Sequence, residues 1–389
     1  MKRILPIIVI SQFFCTSLWF AGNAILPDLI KSFHLEPGFL AHLTSMVQFG
    51  FITGTLVFAL LTLADRFSPS LVFFASSVAA SLFNLGIVMD HLDSVWLLFF
   101  RFSTGFFLAG IYPVGMKIAS DYYQKGLGKS LGFLVGALVV GTAFPHLVKS
   151  VSMNFSWKYV VFATSAISAL GGLSMLLLVP NGPFRKSSQQ LSPNVFFSGF
   201  RNKNFRAAAI GYFGHMWELY TFWAFIPVML SVYKNHYQTD LNVPLLSFAI
   251  IASGGLACVL SGYLSQRLGV KRVATISLCL SCLCCCGSPL FLLSRSVSAL
   301  ISFLFFWGLV VIADSPLFST LVAQNAPEES RGTALTMVNC LGFSVTIISI
   351  QFINLLSNDI SGQYLYTLLA VGPMVGLIAL WKKTKEKTS

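Results

Sequence analysis

Charge is what this chain has least of. Only 10% of its 389 residues are Asp, Glu, Lys or Arg, and just 13 are acids, too few to cover the surface of a water-soluble domain. Polar stretches are short as well, so no soluble catalytic domain fits between the apolar runs. HExxH, a nucleophile motif and a paired metal-ligand set are all missing, which leaves an intramembrane enzyme without its chemistry. Cysteine is present but does not suggest a metal. Five of the eight crowd into CLSCLCCCG, residues 279–287, with no His or acid nearby to complete a ligand set. In an apolar helix they act as small apolar residues. Neither a metal, a disulfide nor a cofactor is expected.

What is there is hydrocarbon. Hydrophobic residues make up 56% of the chain and mean hydropathy is +0.78, and apolar runs recur at about the 20 residues a helix needs to span a bilayer. We read twelve spans, over residues 4–30, 42–63, 71–90, 95–118, 129–149, 157–179, 206–231, 243–265, 272–293, 297–322, 333–356 and 362–381. The first is longer than a signal-peptide core and runs into ILPDLI rather than a small-residue cleavage site, so it reads as an uncleaved helix.

The net charge of +12 reflects loop placement rather than a nucleic-acid partner. With both ends on one side, that side gathers Arg66, Lys117, Arg185, Arg206, Arg267, Lys271, Arg272, Arg331 and the tail lysines, among others. The opposite side holds only Lys31, Lys149, Lys158, Lys234 and Arg295. The positive-inside bias makes both termini cytoplasmic.

A polar connection from Pro180 to Arg206 divides the spans six and six. The expected domains are an N-terminal bundle (1–180), a cytoplasmic linker (181–205) and a C-terminal bundle with a short basic tail (206–389). Sliding one half over the other by about 200 residues aligns Pro27 with Pro227, LADRFS (63–68) with LSQRLG (264–269), Tyr112-Pro113 with Ser315-Pro316, and Gly128 with Gly332. Parallel repeats of this kind place a binding site between the halves near the midplane.

GYLSQRLGVKR, residues 262–272, closely resembles the G-x-L-x-D-R-x-G-R-K/R loop signature of the major facilitator superfamily, and LTLADRFSPS (61–70) resembles its first copy. LLFFRFSTGFFLAG resembles a further family pattern through Leu97, Arg101 and Gly105. HMWELY and IADSPLFSTLV look most like a bacterial branch loosely akin to nitrate and cyanate porters. Two departures stand out. The fifth span has only the spaced Gly132, Gly136 and Gly141 and the eleventh only Gly342, where the nitrate branch is glycine-rich, and GTAFPH does not meet the drug/proton antiporter pattern. The resemblance implies an all-α membrane protein of twelve helices in two pseudo-symmetric bundles, acting as a monomeric secondary transporter of the bacterial inner membrane. Helices one, four, seven and ten would line its cavity.

Within the apolar spans lie two acids, Glu218 and Asp314. A charge there costs about 3 kcal/mol or more, and a carboxylate escapes the cost by taking a proton. His215 stands one turn from Glu218 on the same helix face. We therefore expect Glu218 as a proton-coupling site, His215 as its partner and Asp314 as a second carboxylate. Arg101 cannot lose its charge, so it is expected to find a counter-ion or an anionic substrate. Asn23, Tyr112, Trp217, Tyr220, Trp223 and Ser315 are candidate cavity residues. By the resemblance Asp65, Arg66, Gly262, Arg267, Gly269, Lys271 and Arg272 belong to conformational-lock loops, with Asp65 favoured by a helix N-terminus. Gln266 replaces the acid of the second copy. The expected cargo is a small polar or anionic solute, with protons and membrane lipid as the other partners; an uncoupled facilitator, an exchanger and a drug/proton antiporter stay open.

Overall fold

The computed structural model describes residues 3–36, 38–123, 127–185, 199–326 and 331–381. Most of the linker (186–198), Lys2, Lys125 and the tail lysines lie outside the described residues, as does the side chain of Lys129. Among the described residues the chain is helical without strands. The first half holds α1 (Ile4–Thr16), α2 (Ala21–Ala24), α3 (Leu26–Phe33), α4 (Phe39–Leu60), α5 (Leu63–Arg66), α6 (Pro69–Leu85), α7 (Ser94–Leu108), α8 (Tyr112–Tyr122), α9 (Leu127–Val151) and α10 (Lys158–Leu178). The second holds α11 (Lys203–Tyr237), α12 (Val243–Leu268), α13 (Val270–Leu292), α14 (Val297–Ala313), α15 (Ser315–Asn325), α16 (Arg331–Leu356), α17 (Gly362–Leu365) and α18 (Val371–Trp381).

Ten helical stretches among the described residues are long and apolar enough to cross a membrane, against the twelve spans expected. The two that fall short do so for opposite reasons. The first span is interrupted at residues 17–20, which leaves α1 with 13 residues. The seventh, α11, is unbroken over 35 residues, about 50 Å, but carries Lys203, Arg206, His215, Glu218 and Lys234 and is not among the ten. Leu82, Leu177, Leu256, Leu290 and Ile378 face outward as an apolar mantle suited to lipid.

Repetition is visible in the packing. A Cβ on Gly105 of α7 would lie 2.1 Å from the Val47 carbonyl oxygen of α4, and one on Gly308 of α14 would lie 2.6 Å from that of Ile250 of α12. Val47 and Ile250, Gly105 and Gly308, and Tyr112 and Ser315 are all separated by one interval. In both halves, then, the fourth helix presses backbone to backbone on the second, as small residues allow in membranes.

Both fourth helices also break at the same register. α7 stops at Leu108 and α8 restarts at Tyr112-Pro113; α14 stops at Ala313 and α15 restarts at Ser315-Pro316, with Asp314 between. Proline lacks the N–H that would bond the carbonyl four residues back. For Pro316 that carbonyl is Ile312, and the Cys258 thiol of α12 donates to it at 3.6 Å.

The halves meet along two helix pairs, α9 with α12 and α4 with α16. At the first, Gly136 and Gly255 approach so closely that a Cβ on either would stand 3.1 Å from the other's carbonyl oxygen. At the second, Phe51 packs on Phe343 with ring centroids 4.7 Å apart, and Gln351 donates to Ser45 Oγ at 2.9 Å. Ion pairs within the first half pin the ends of its bundle. Asp28 meets Lys149 at 2.7 Å, and Lys158, 3.0 Å from Asp90, holds that exposed carboxyl below its usual range.

Candidate transport site

α11 distributes the polar groups, because neighbouring positions on one helix face different partners. At about 100° per residue, Glu218 and Tyr220 point about 200° apart. Tyr220 and Trp223 face the first half, with Tyr220 5.9 Å from Trp19 and Trp223 6.4 Å from Phe20 by ring centroids. Glu218 turns the other way, into the second half. Trp307 of α14 donates its indole N–H to Oε1 at 2.6 Å and Ser281 of α13 donates its hydroxyl to Oε2 at 2.8 Å. Glu218 is therefore not a cavity wall facing the first half, as expected, but an acid held inside its own bundle.

His215 does not take Glu218 as its partner. Its Nδ1 lies 2.8 Å from Asp314 Oδ1, with both side chains 1% exposed. This is the correction of most consequence, since Asp314 is the residue at which the tenth span breaks. The contact is an ion pair by distance, and neither Asp314 oxygen nor His215 Nε2 has a hydrogen-bond partner in the protein. The i,i+3 spacing put His215 near Glu218 in sequence, but the break at Asp314 turned a third residue toward the imidazole.

Arg101 has no carboxylate partner among the described residues. Its guanidinium donates to the carbonyls of Leu18 and Trp19 and to Asn84 Oδ1. Those carbonyls belong to the interruption at 17–20, so the expected counter-ion is replaced by peptide dipoles that the broken helix leaves free. At the corresponding register of the second half stands Leu304, which has nothing to donate, and there α11 runs unbroken.

The other candidates divide. Asn23 is buried and donates to Thr44 Oγ1 at 2.8 Å. Tyr112 and Ser315 are half-buried at the starts of α8 and α15. Trp217 faces away from the first half, donating to the Leu368 carbonyl at 3.4 Å beside Phe352, so it is not a wall between the halves. Between Trp19, Phe20 and Phe51 on one side and Tyr220, Trp223 and Phe343 on the other, six rings close the centre. Phe51 and Phe343 escaped sequence reading because nothing in an apolar helix marks the phenylalanine that meets another bundle. Trp307 and Ser281 escaped because the partner of a buried acid is fixed by tertiary contact alone.

Around those rings, several polar atoms are buried without a protein partner: Trp19 Nε1, Asn23 Oδ1, both amide atoms of Gln48, Arg101 Nε and Trp223 Nε1. Such an atom costs about 1–3 kcal/mol, and native proteins keep few.

The loop residues sit elsewhere. Asp65 lies 2.9 Å from Lys117 of α8, and Arg185 donates to the Asp65 and Phe67 carbonyls at 2.8 and 2.7 Å. Asp65 thus stands in the first turn of α5 and has the Lys117 ammonium as a further partner. Arg66 donates to Thr62 Oγ1. In the second copy Arg267, Lys271 and Arg272 are exposed and Gly262 is half-buried. Gly269 joins α12 to α13 at φ 88°, a conformation that favours glycine.

An apolar mantle, helices broken at polar residues and two repeated groups of helices meeting at a polar-lined centre define a multi-pass membrane protein that handles a solute. The chain belongs to the Major Facilitator Superfamily, whose family model matches residues 8–350; it is a membrane transporter of that family. A search of curated proteins finds no match.

Proposed function

We propose that the protein carries a small polar or anionic solute by alternating access between two bundles, residues 1–180 and 206–389, and that proton uptake in the second drives it. The observation that supports coupling is the His215–Asp314 pair, buried at the break between α14 and α15. The 2.8 Å contact ties α11 to the hinge of the tenth span. A proton taken up by Asp314 removes its charge and weakens that tie, so the bend at Pro316 and the charge change together. Glu218, bonded through both oxygens, is the second acid of the set. We place the protein as a monomer in a bacterial inner membrane, with both termini cytoplasmic, as the basic-residue bias favours.

The test uses proteoliposomes loaded with a pH-sensitive dye and challenged with organic anions, amino acids, sugars and lipophilic cations. A solute that moves protons in the wild type and none in Asp314→Asn, while still exchanging across the membrane in the variant, is the expected result. Solute-linked proton movement that survives in Asp314→Asn removes the pair from coupling. The saturated bonding of Glu218 favours a second reading, an uncoupled facilitator or exchanger, and solute flux without any proton movement in the wild type would establish it.

A further inference from the structure

The six unpartnered atoms named above belong to residues linked by a chain of contacts around the central rings. Asn23 gives its amide N–H to Thr44 and leaves Oδ1 over. Gln48 follows Thr44 by one turn of α4 and precedes Phe51 by three residues, so all three share a face. Phe51 stacks 4.9 Å from Trp19. Arg101 holds the Trp19 carbonyl, and the backbone at Gly22 passes beside its Nε. Trp223 completes the chain from the other half, across Phe20.

Its chemistry is one-sided. Of the atoms named, four are donors, at Trp19 Nε1, Gln48 Nε2, Arg101 Nε and Trp223 Nε1, and two are acceptors, on Gln48 and Asn23; Thr55 Oγ1, one turn beyond Phe51, can serve as either. Arg101 adds a full buried charge that no carboxylate balances among the described residues. Glu218 points away and is bonded by Trp307 and Ser281, and Asp314 is taken by His215. A cation would meet repulsion from Arg101, whose charge is met by peptide and amide dipoles alone, and a neutral solute would bring it no counter-charge. The walls, by contrast, are ring faces and edges, which suit a flat apolar body.

We propose that the substrate is a small organic carboxylate with a flat apolar body, its carboxylate taken by the donors of Trp19, Gln48, Arg101 and Trp223. This rests on the transport reading above. Because the indoles come from opposite halves and the rings are now in contact, such a ligand enters only when the halves part and then draws them together by being shared. A bound carboxylate therefore acts as a link between the bundles.

The experiment is thermal unfolding of the purified full-length protein in detergent, with phenylacetate, 2-phenylacetamide, phenethylammonium, acetate and nitrate as probes. Phenylacetate is expected to raise Tm with concentration, and the amide and ammonium analogues to leave it unchanged. Acetate and nitrate, lacking the body, should need about tenfold more or worse. Gln48→Leu should weaken phenylacetate by about tenfold while the ligand-free protein melts no lower, since Gln48 has no protein partner to lose. Equal shifts from the amide, the ammonium or nitrate overturn the proposal, as does no shift from any probe or a lowered ligand-free Tm in Gln48→Leu. The liposome assay separates the two readings. Phenylacetate that binds but neither crosses nor competes with a carried solute leaves this site standing without transport. A carried solute in a protein indifferent to phenylacetate does the reverse.

Discussion

Arg101 shows how one side chain decides the course of a helix 83 residues away in sequence. Its Nη atoms supply donors to Leu18 and Trp19 that the helix itself does not, and the interruption persists because it is bonded. Arg101→Gln keeps a polar group but loses the fork, so we expect stability to fall by about 2 kcal/mol, read as a lower Tm in detergent, with faster amide exchange at 17–20. An unchanged Tm with unchanged exchange would mean that those carbonyls have other donors. Glu218→Gln is the contrasting case. A glutamine oxygen still accepts from the Trp307 indole, and the Ser281 hydroxyl can turn to accept, so the fold should survive with Tm within a few degrees. The presence of Glu218, Asp314, His215 and Arg101 as buried polar groups was legible from their placement in apolar runs. Their partners were not: a sequence shows that a charge is misplaced in hydrocarbon, and only the packed chain shows which neighbour answers it.

Among elements, the fourth span of each half was read as a single crossing and remains one, over Ser94–Tyr122 and Val297–Asn325, with a local break in each. Tyr112-Pro113 and Ser315-Pro316 were visible as a repeated landmark, yet proline inside an apolar run can bend a helix or end it, and which occurs depends on what receives the freed carbonyl. Here Cys258 takes the Ile312 carbonyl. Pro316→Ala restores an N–H at 316 and should close the break. We expect amide exchange across 314–317 to slow by about fivefold, the equivalent of one hydrogen bond, with slower solute exchange as its functional counterpart. Exchange at wild-type rates in that segment would show that Asp314, not the proline, holds the bend. The same comparison explains the count of spans. Composition marks a helix as membrane-crossing by its lack of polar residues, so α11, which carries the candidate acid and histidine, was the one least likely to meet a purely compositional measure.

For the whole molecule, repetition and the division into halves could be seen in advance from a few landmarks with a common offset. How the halves meet could not, because two pseudo-equivalent crossings are packed differently, by glycines at Gly136 and Gly255 and by rings at Phe51 and Phe343. Gly136→Leu should force α9 and α12 apart and cost about 2 kcal/mol or more in stability, measured by thermal unfolding; a neutral effect would show that the crossing is loose. Cysteines replacing Ser45 and Gln351, in a background cleared of native thiols and joined by a short methanethiosulfonate linker, should stop solute exchange and leave phenylacetate binding measurable. Undiminished exchange in the linked protein would mean that this side does not need to open.

Under the alternating access proposed above, the six-ring closure also sets the thermal character of the transport cycle. Each ion pair described above lies within one half, so parting the halves at their centre chiefly exposes aromatic surface rather than breaking salt links. Exposing apolar surface to water carries a positive heat capacity. The rate of switching should then bend away from a straight line on an Arrhenius plot and respond only weakly to added salt, as befits a gate made of rings.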